Sequence, residues 1–345
     1  MYQIVTLYSN KGGVSKTTTA FNLAVYLAAK MKKKTLIIDA DPQCNITELF
    51  FASDLKLLND VSRDLPGTSI LGAFQPRIDG TASKIDVKNL NLPRSRIYNN
   101  LYILRGDIEF SARAEGAFAA SIEQAITSKV YEKNTYISFR RLTRDLIEIE
   151  KYENIIIDVG PSSGAITRLA FLACDGFFVP VTPDRFSFLA VSVLAKILKE
   201  WASHDKQILG TLAPFGIEDN FGIPSYLGSV IQNFQVFKSK VKTSYQQWSK
   251  KIRTQLVRDF IKSGTATVNS NIAKTNNPFI AEIQDLGPLA PVAQIVGKAI
   301  FDIHQDDTTY ASADGRKYYG TVWDPWEAKK SSYEKEIKKI AEILI

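Results

Sequence analysis

The sequence predicts an α/β protein built on a doubly wound, mostly parallel β-sheet. Two observations carry that prediction. Short, continuous apolar runs recur along the chain, at Gln3–Ser9, Lys34–Asp39, Asn100–Gly106, Asn154–Gly160, Gly176–Val181 and Leu227–Asn233. Strands covered on both faces need runs of this kind rather than strict apolar–polar alternation. Between them lie stretches with helical character, such as Thr17–Lys30, Ser138–Lys151 and Phe188–Trp201. Strand–helix alternation of this sort is the pattern of parallel βαβ units.

The bulk composition narrows the classes. The chain has 345 residues, of which 45% are hydrophobic and 23% charged, as in ordinary globular proteins. No apolar run approaches the roughly 18 residues that a membrane span needs. Because the N-terminus runs directly into a strand-like segment, no signal peptide is expected. The two cysteines, Cys44 and Cys174, have no metal-ligand spacing, and their scarcity fits a reducing cytoplasm. With only His204 and His304 in the chain, a histidine triad or a zinc site is not expected. The formal net charge of +7 is compatible with an anionic partner, a nucleic acid or an acidic membrane surface.

The rhythm of strands and helices suggests a single domain over 1–345, with two departures. Residues 54–99 carry few long apolar runs and several turn signals, so this segment reads as an insertion of loops and short helices on the edge of the core. Residues 311–345 form an extension ending in an amphipathic helix that begins near Trp326. Its apolar positions Ile337, Ile340 and Leu344 recur at helical spacing, which predicts packing back on the core.

The stretch Leu7–Ala28, LYSNKGGVSKTTTAFNLAVYLA, holds the site. A strand, a glycine-bearing loop, then a lysine and threonines opening a helix provide what phosphate binding requires. Glycines let backbone N–H groups approach phosphate oxygens, and the helix N-terminus adds partial positive charge. The loop residues Gly12, Gly13, Val14, Ser15 and Thr18 would line the nucleotide. Lys16 would reach the β- and γ-phosphates, and the Thr17 hydroxyl would bind Mg²⁺. Asn10 and Ser15 stand where the general phosphate-loop pattern has glycines.

NKGGVSKTTT resembles the deviant Walker A loop of the ParA/MinD family of P-loop ATPases. That variant does not require the first glycine, so Asn10 is expected, and it carries a second lysine, matched here by Lys11. The resemblance implies that Lys11 reaches across an ATP-sandwich homodimer to the partner's phosphates. Ser15 departs from the family loop. Should its backbone be left-handed, a serine there costs roughly 1 kcal/mol relative to glycine, which weakens such a loop without abolishing it.

LIIDADPQCNIT resembles the family's second motif. By that match Asp41 is the carboxylate that positions or activates the attacking water, and Asp39 supports the Mg²⁺ shell. YENIIIDVGPSSG reads as Walker B, an apolar strand delivering Asp158 to the metal and a Gly-Pro turn that can respond to the γ-phosphate. Phosphoryl transfer depends mainly on positioning and charge neutralisation, so carboxylates near metal and water suit it. Pro180–Val191, Gly228–Phe234 and Leu289–Ile303 resemble later family elements, with Gln232 and Asn233 as candidates beside the adenine.

The resemblance implies a Mg-ATP-dependent ATPase that dimerises on ATP, binds a surface, and is released when a ParB-like adaptor triggers hydrolysis. The surface expected is nonspecific DNA. Between Val236 and Lys262 stand eight basic residues and one acidic one, Asp259. If Thr243–Ser263 is helical, Trp248, Ile252, Leu256 and Phe260 form an apolar stripe beside a basic one of Lys251, Arg258 and Lys262, suited to phosphate contact. A membrane anchor is not expected. The final helix interleaves Lys329, Lys330, Lys335, Lys338 and Lys339 with Glu327, Glu334, Glu336 and Glu342.

No helix-turn-helix precedes the loop, so the resemblance is to the short, Soj-like ParA type. Plasmid or chromosome partition is then the expected task, in a cytoplasmic protein that associates with the nucleoid when ATP-bound. The alternative is a nucleotide switch serving a defence system or cargo positioning, with the insertion as docking surface. The nitrogenase iron protein shares the deviant loop, but Cys44 and Cys174 are not spaced as its cluster ligands.

Overall fold

The computed structural model describes residues 2–54, 65–217, 221–234, 236–237, 240–241, 243–310, 312 and 315–345. Residues 55–64 of the expected insertion, Lys238 and Lys242 of the basic segment, and 311 and 313–314 of the tail lie outside the described residues.

The chain runs β1 (Ile4–Leu7), α1 (Lys16–Val25), β2 (Thr35–Asp39), α2 (Asn45–Phe51), α3 (Ile70–Ile78), β3 (Leu101–Leu104), α4 (Phe110–Gln124), α5 (Val130–Tyr136) and α6 (Ser138–Glu148). It continues through β4 (Asn154–Asp158), α7 (Ala165–Leu172), β5 (Gly176–Val181), α8 (Arg185–Leu209) and β6 (Ser225–Phe234). Next come a short antiparallel hairpin of β7 (Val236–Phe237) and β8 (Lys240–Val241), then α9 (Thr243–Leu256) and α10 (Ser270–Thr275). The chain ends with β9 (Phe279–Gln284), α11 (Leu289–Val296) and α12 (Gly320–Glu342).

Seven strands form one sheet in the order β3-β2-β4-β1-β5-β6-β9, and every pairing in it is parallel. The six expected strands are its first six. The seventh, β9, reads FIAEIQ, a half-exposed alternating pattern that fits an edge and carries no long apolar run.

The continuous apolar runs serve two cores at once, because successive side chains leave opposite faces of a strand. In β4, Ile155 and Ile157 face a core with Phe74, Phe118, Phe139 and Trp201, whereas Ile156 faces one with Phe21, Leu23, Phe50 and Ile337. Burying each such isoleucine contributes roughly 1.5–3 kcal/mol, which is why helices must cover both faces.

The helix expected over Thr17–Lys30 is α1 closed by a π-helical turn, Tyr26–Lys30. The one expected over Phe188–Trp201 runs longer at both ends, from Arg185 to Leu209, and its start is set by Asp184, which caps it through the Ser187 N–H. Within 54–99 the described residues form α3, a short 3₁₀ turn at Val87–Asn89, and loops. The last helix starts at Gly320, ahead of the expected Trp326, since Trp323 is already seated in the second core. Ile337, Ile340 and Leu344 are buried there.

Candidate nucleotide site

The sheet topology brings three strand ends together. Neighbouring β2 and β4 pair in register, so that Asp39 and Asp158 stand side by side at their C-terminal ends. Beyond β1, which lies on the other side of β4, the chain turns through Ser9–Ser15 into α1. Gly13 and Ser15 are left-handed there, with φ of 71° and 56°. No atom comes within 4 Å of the position a Cβ would take on Gly12 or Gly13, so that side of the loop is open. A cavity of about 590 Å³ lies over it, lined among others by Gly13, Thr17, Asp41, Glu48 and Gln294. That volume falls in the range of small-molecule sites.

Lys16 is buried and folds back so that its ammonium donates to the Lys11 carbonyl at 3.4 Å. Burial lowers its pKa, while the carboxylates of Asp158 and Asp41 pull it back up. Its charge therefore sits where the loop carboxylates and the open amides meet.

Asp39 is saturated. One oxygen accepts from both the Thr47 N–H and hydroxyl, at 3.1 and 2.6 Å, and the other from the Asp41 N–H at 3.2 Å. Burial still pushes its carboxyl up to about 7. Thr47 in turn accepts from the Gly106 N–H at 2.8 Å, joining the end of β3 to the site. A Cβ on Gly106 would fall 2.7 Å from the same Asp39 oxygen, so the glycine is sterically required. Asp41 accepts from the Gln43 N–H at 3.0 Å.

Asp158 is the opposite case. It is 1% exposed, yet no well-formed hydrogen bond reaches either carboxylate oxygen, the Thr17 hydroxyl being the donor that lies nearby. Burial, with the charge of Asp39 next, raises its pKa well above the ordinary range, against the nearby Thr17 hydroxyl. A buried carboxylate without well-formed hydrogen bonds leaves strong acceptors unanswered. Beside a threonine hydroxyl, those acceptors fit a hard divalent cation. Among the described residues no cluster of three His, Cys, Asp or Glu could cage a metal alone. Mg²⁺ usually takes one or two protein oxygens and completes its shell with phosphates and water.

Lys11 lies at the other side of the loop. Its ammonium donates to Thr182 Oγ1 at 2.5 Å, Asp184 Oδ2 at 2.6 Å and Ser187 Oγ at 3.2 Å, all in its own chain. Of the two adenine candidates, Gln232 is buried and donates to Thr19 at 2.7 Å, which turns its amide toward α1 rather than the cavity. Asn233 meets Ser15 instead, its Nδ2 lying 3.2 Å from Ser15 Oγ.

The helix expected over Thr243–Ser263 is α9 followed by a π-helical turn, Val257–Ile261, and the apolar stripe runs along both: Ile252, Leu256 and Phe260 are fully buried, and Trp248 packs on Phe188. Lys251, Arg258 and Lys262 are exposed. However, Arg258 pairs with Asp259 at 2.7 Å, so the one acidic residue of the segment offsets part of its charge. Lysines of α12 are mostly answered as well, with Lys330 on Glu327 and Lys339 on Glu336.

Sequence reading passed over Thr47, Asp184 and Gln294. Each lies inside a stretch with a motif, but only the tertiary contacts distinguish it from its neighbours.

This open glycine loop at a strand–helix junction, with lysine and threonine at the helix start and aspartates on adjacent strand ends, defines a P-loop nucleotide-binding protein. Residues 2–210 match the AAA_31 family model, described as an AAA domain. The chain is 27% identical over 242 residues to a virulence-plasmid ParA family protein of Chlamydia psittaci, covering 68% of this chain and 78% of that one. To the sporulation initiation inhibitor protein Soj of Bacillus subtilis it is 26% identical over 219 residues, 61% of this chain and 72% of that one. Among solved structures, an ATP complex of a McdA variant from Cyanothece shares the fold at a TM-score of 0.58 and 17% identity, covering 96% of both chains. The chain belongs to the ParA/MinD family of P-loop ATPases, close to its Soj-like ParA members. Among the described residues no helix is long and apolar enough to cross a membrane.

Proposed function

We propose that this protein binds and hydrolyses Mg-ATP, forms an ATP-sandwich dimer, and in that form binds DNA without sequence preference, to segregate a plasmid or chromosome with a ParB-like adaptor. The observation that carries this reading is the unanswered, buried Asp158 beside Thr17, at the mouth of an open phosphate loop.

Each residue has a role that its surroundings support. The amides of Gly12–Thr18 and the start of α1 would hold the phosphates, and Lys16 would reach them. Thr17 and Asp158 would hold Mg²⁺, and Asp39, already held by Thr47 and the Asp41 N–H, would act behind them as an orienting carboxylate. The bound ion supplies charge neutralisation on the phosphate oxygens. Asp41, fixed at one oxygen by the Gln43 N–H, keeps acceptor capacity to orient a water and take up its proton. Lys11 would leave Asp184 and reach the partner's nucleotide. Lys251, Arg258 and Lys262 supply a DNA-facing surface.

A second reading is a nucleotide switch that positions cargo rather than segregating DNA. Its support is that the fold is shared with McdA and with MinD of Pyrococcus horikoshii, the latter at a TM-score of 0.54. An ATP-dependent DNA-retention assay across a salt series separates the two. Retention that needs ATP and falls steeply with salt supports segregation. Nucleotide-dependent dimerisation without retention supports the switch.

A further inference from the structure

Ser15 is where the phosphate loop gives up a glycine, and its hydroxyl does not do what a serine at a helix start ordinarily does. A serine N-cap has extended backbone and accepts from the N–H two or three residues on. Ser15 is left-handed, with φ 56° and ψ 29°, and makes no such bond. Its hydroxyl is turned to Asn233, whose Nδ2 lies 3.2 Å away and whose Oδ1 lies 3.4 Å away. Asn233, near the end of β6, is also left-handed, with φ 55°. It falls where the β6–β9 register shifts, between Ile231 and Phe234. Irregularities of this kind re-aim a side chain out of the ladder. Two left-handed, non-glycine residues 218 positions apart are thereby joined side chain to side chain.

We propose that Asn233 is a positioning residue for the phosphate loop, acting through the Ser15 hydroxyl rather than by touching the nucleotide. The inference rests on the nucleotide reading above. Left-handed backbone is disfavoured for any residue with a Cβ, and the Ser15–Asn233 bond offsets that strain. It also keeps the hydroxyl off the first N–H groups of α1. Those donors have no partner within the helix and are the ones a phosphate takes. With glycine in place of Ser15 the loop would reach the same shape unaided. With serine, it depends on Asn233.

The test is a double-mutant cycle of wild type, Asn233→Ala, Ser15→Gly and the pair, with ATP and ADP affinities measured by titration calorimetry. Asn233→Ala should weaken ATP and ADP alike by about two- to tenfold, the range that one net hydrogen bond supports. In the Ser15→Gly background the same change should cost less than about twofold. Equal losses in both backgrounds would overturn the proposal, because Asn233 would then act on the nucleotide directly. No loss in the wild-type background would overturn it as well. Melting temperatures of the four apo proteins repeat the test without ligand: non-additive shifts support the clasp, and additive ones refute it. Should wild type hold no ATP, the nucleotide reading falls, and the melting cycle still decides whether the clasp exists.

Discussion

The Lys11 ammonium and the Asp184 carboxylate of the same chain lie 2.6 Å apart. The lysine proposed to cross to a partner in an ATP-bound dimer is engaged within its own chain, so Asp184 would compete for it. Against its partial burial, the hydrogen bonds from Lys11 and Thr182 hold the Asp184 carboxyl below the usual range. Asp184→Asn should release the lysine. ATP binding by the monomer should be unchanged, and the ATP dimer should form at several-fold lower protein concentration, read by sedimentation equilibrium. A dimer no tighter than wild type would mean that the contact does not compete with dimerisation.

The same pair has a pH signature. A depressed carboxyl pKa contributes stability that is present above the unfolded value of about 4 and lost as pH falls through the lower folded value. The Lys11–Asp184 contact should therefore persist from neutral pH down past the ordinary carboxylate range and open only in stronger acid, as followed by the Asp184 carboxyl resonance.

Lys16→Ala should abolish ATP binding, whereas Lys11→Ala should leave monomer binding intact and remove the dimer. Calorimetry on one variant and size-exclusion with light scattering on the other check the division of labour. An ATP dimer surviving in Lys11→Ala would contradict the sandwich.

Asp41→Ala should bind ATP and dimerise but stop turning over, because the carboxylate proposed to face the attacking water is gone. Losses of about 10²–10⁴-fold in turnover are typical when a positioned base is removed. Thr47→Val acts one step back, by stripping the hydroxyl's hydrogen bonds from Asp39 and Gly106. It should destabilise the fold by about 1–3 kcal/mol, measured by urea denaturation, and lower turnover without abolishing ATP binding.

Replacing Lys251, Arg258 and Lys262 together with alanine should remove salt-sensitive DNA retention and leave ATP turnover unchanged. Arg258 should contribute least singly, since Asp259 already offsets it. Filter binding over a salt series reads both the loss and the change in slope.

Local pattern made much of this legible. The apolar runs of β1 to β6 announce strands buried on both faces, and the loop from Lys11 to Thr18 announces a phosphate site, because its chemistry is contiguous in sequence. The edge strand β9 escaped, since Phe279–Gln284 is half exposed and has no long apolar run. Ser15 was visible as a misfit, but its answer, Asn233, lies 218 positions away. Gln232 and Asn233 look alike in sequence, yet one faces Thr19 and the other Ser15, because successive side chains near a strand end diverge.

By itself, the sequence determined the family, the parallel α/β architecture and the place of the phosphate loop in the chain, because these depend on short-range periodicity and on motifs within a few turns of chain. Only the tertiary structure decided what each polar group answers to. It sets Asp39 against Thr47 and leaves Asp158 unanswered, holds Lys11 on Asp184, and turns Ser15 to Asn233. Those pairings arise from strand order and register, which bring distant segments within hydrogen-bond reach, a closeness that spacing along the chain does not encode.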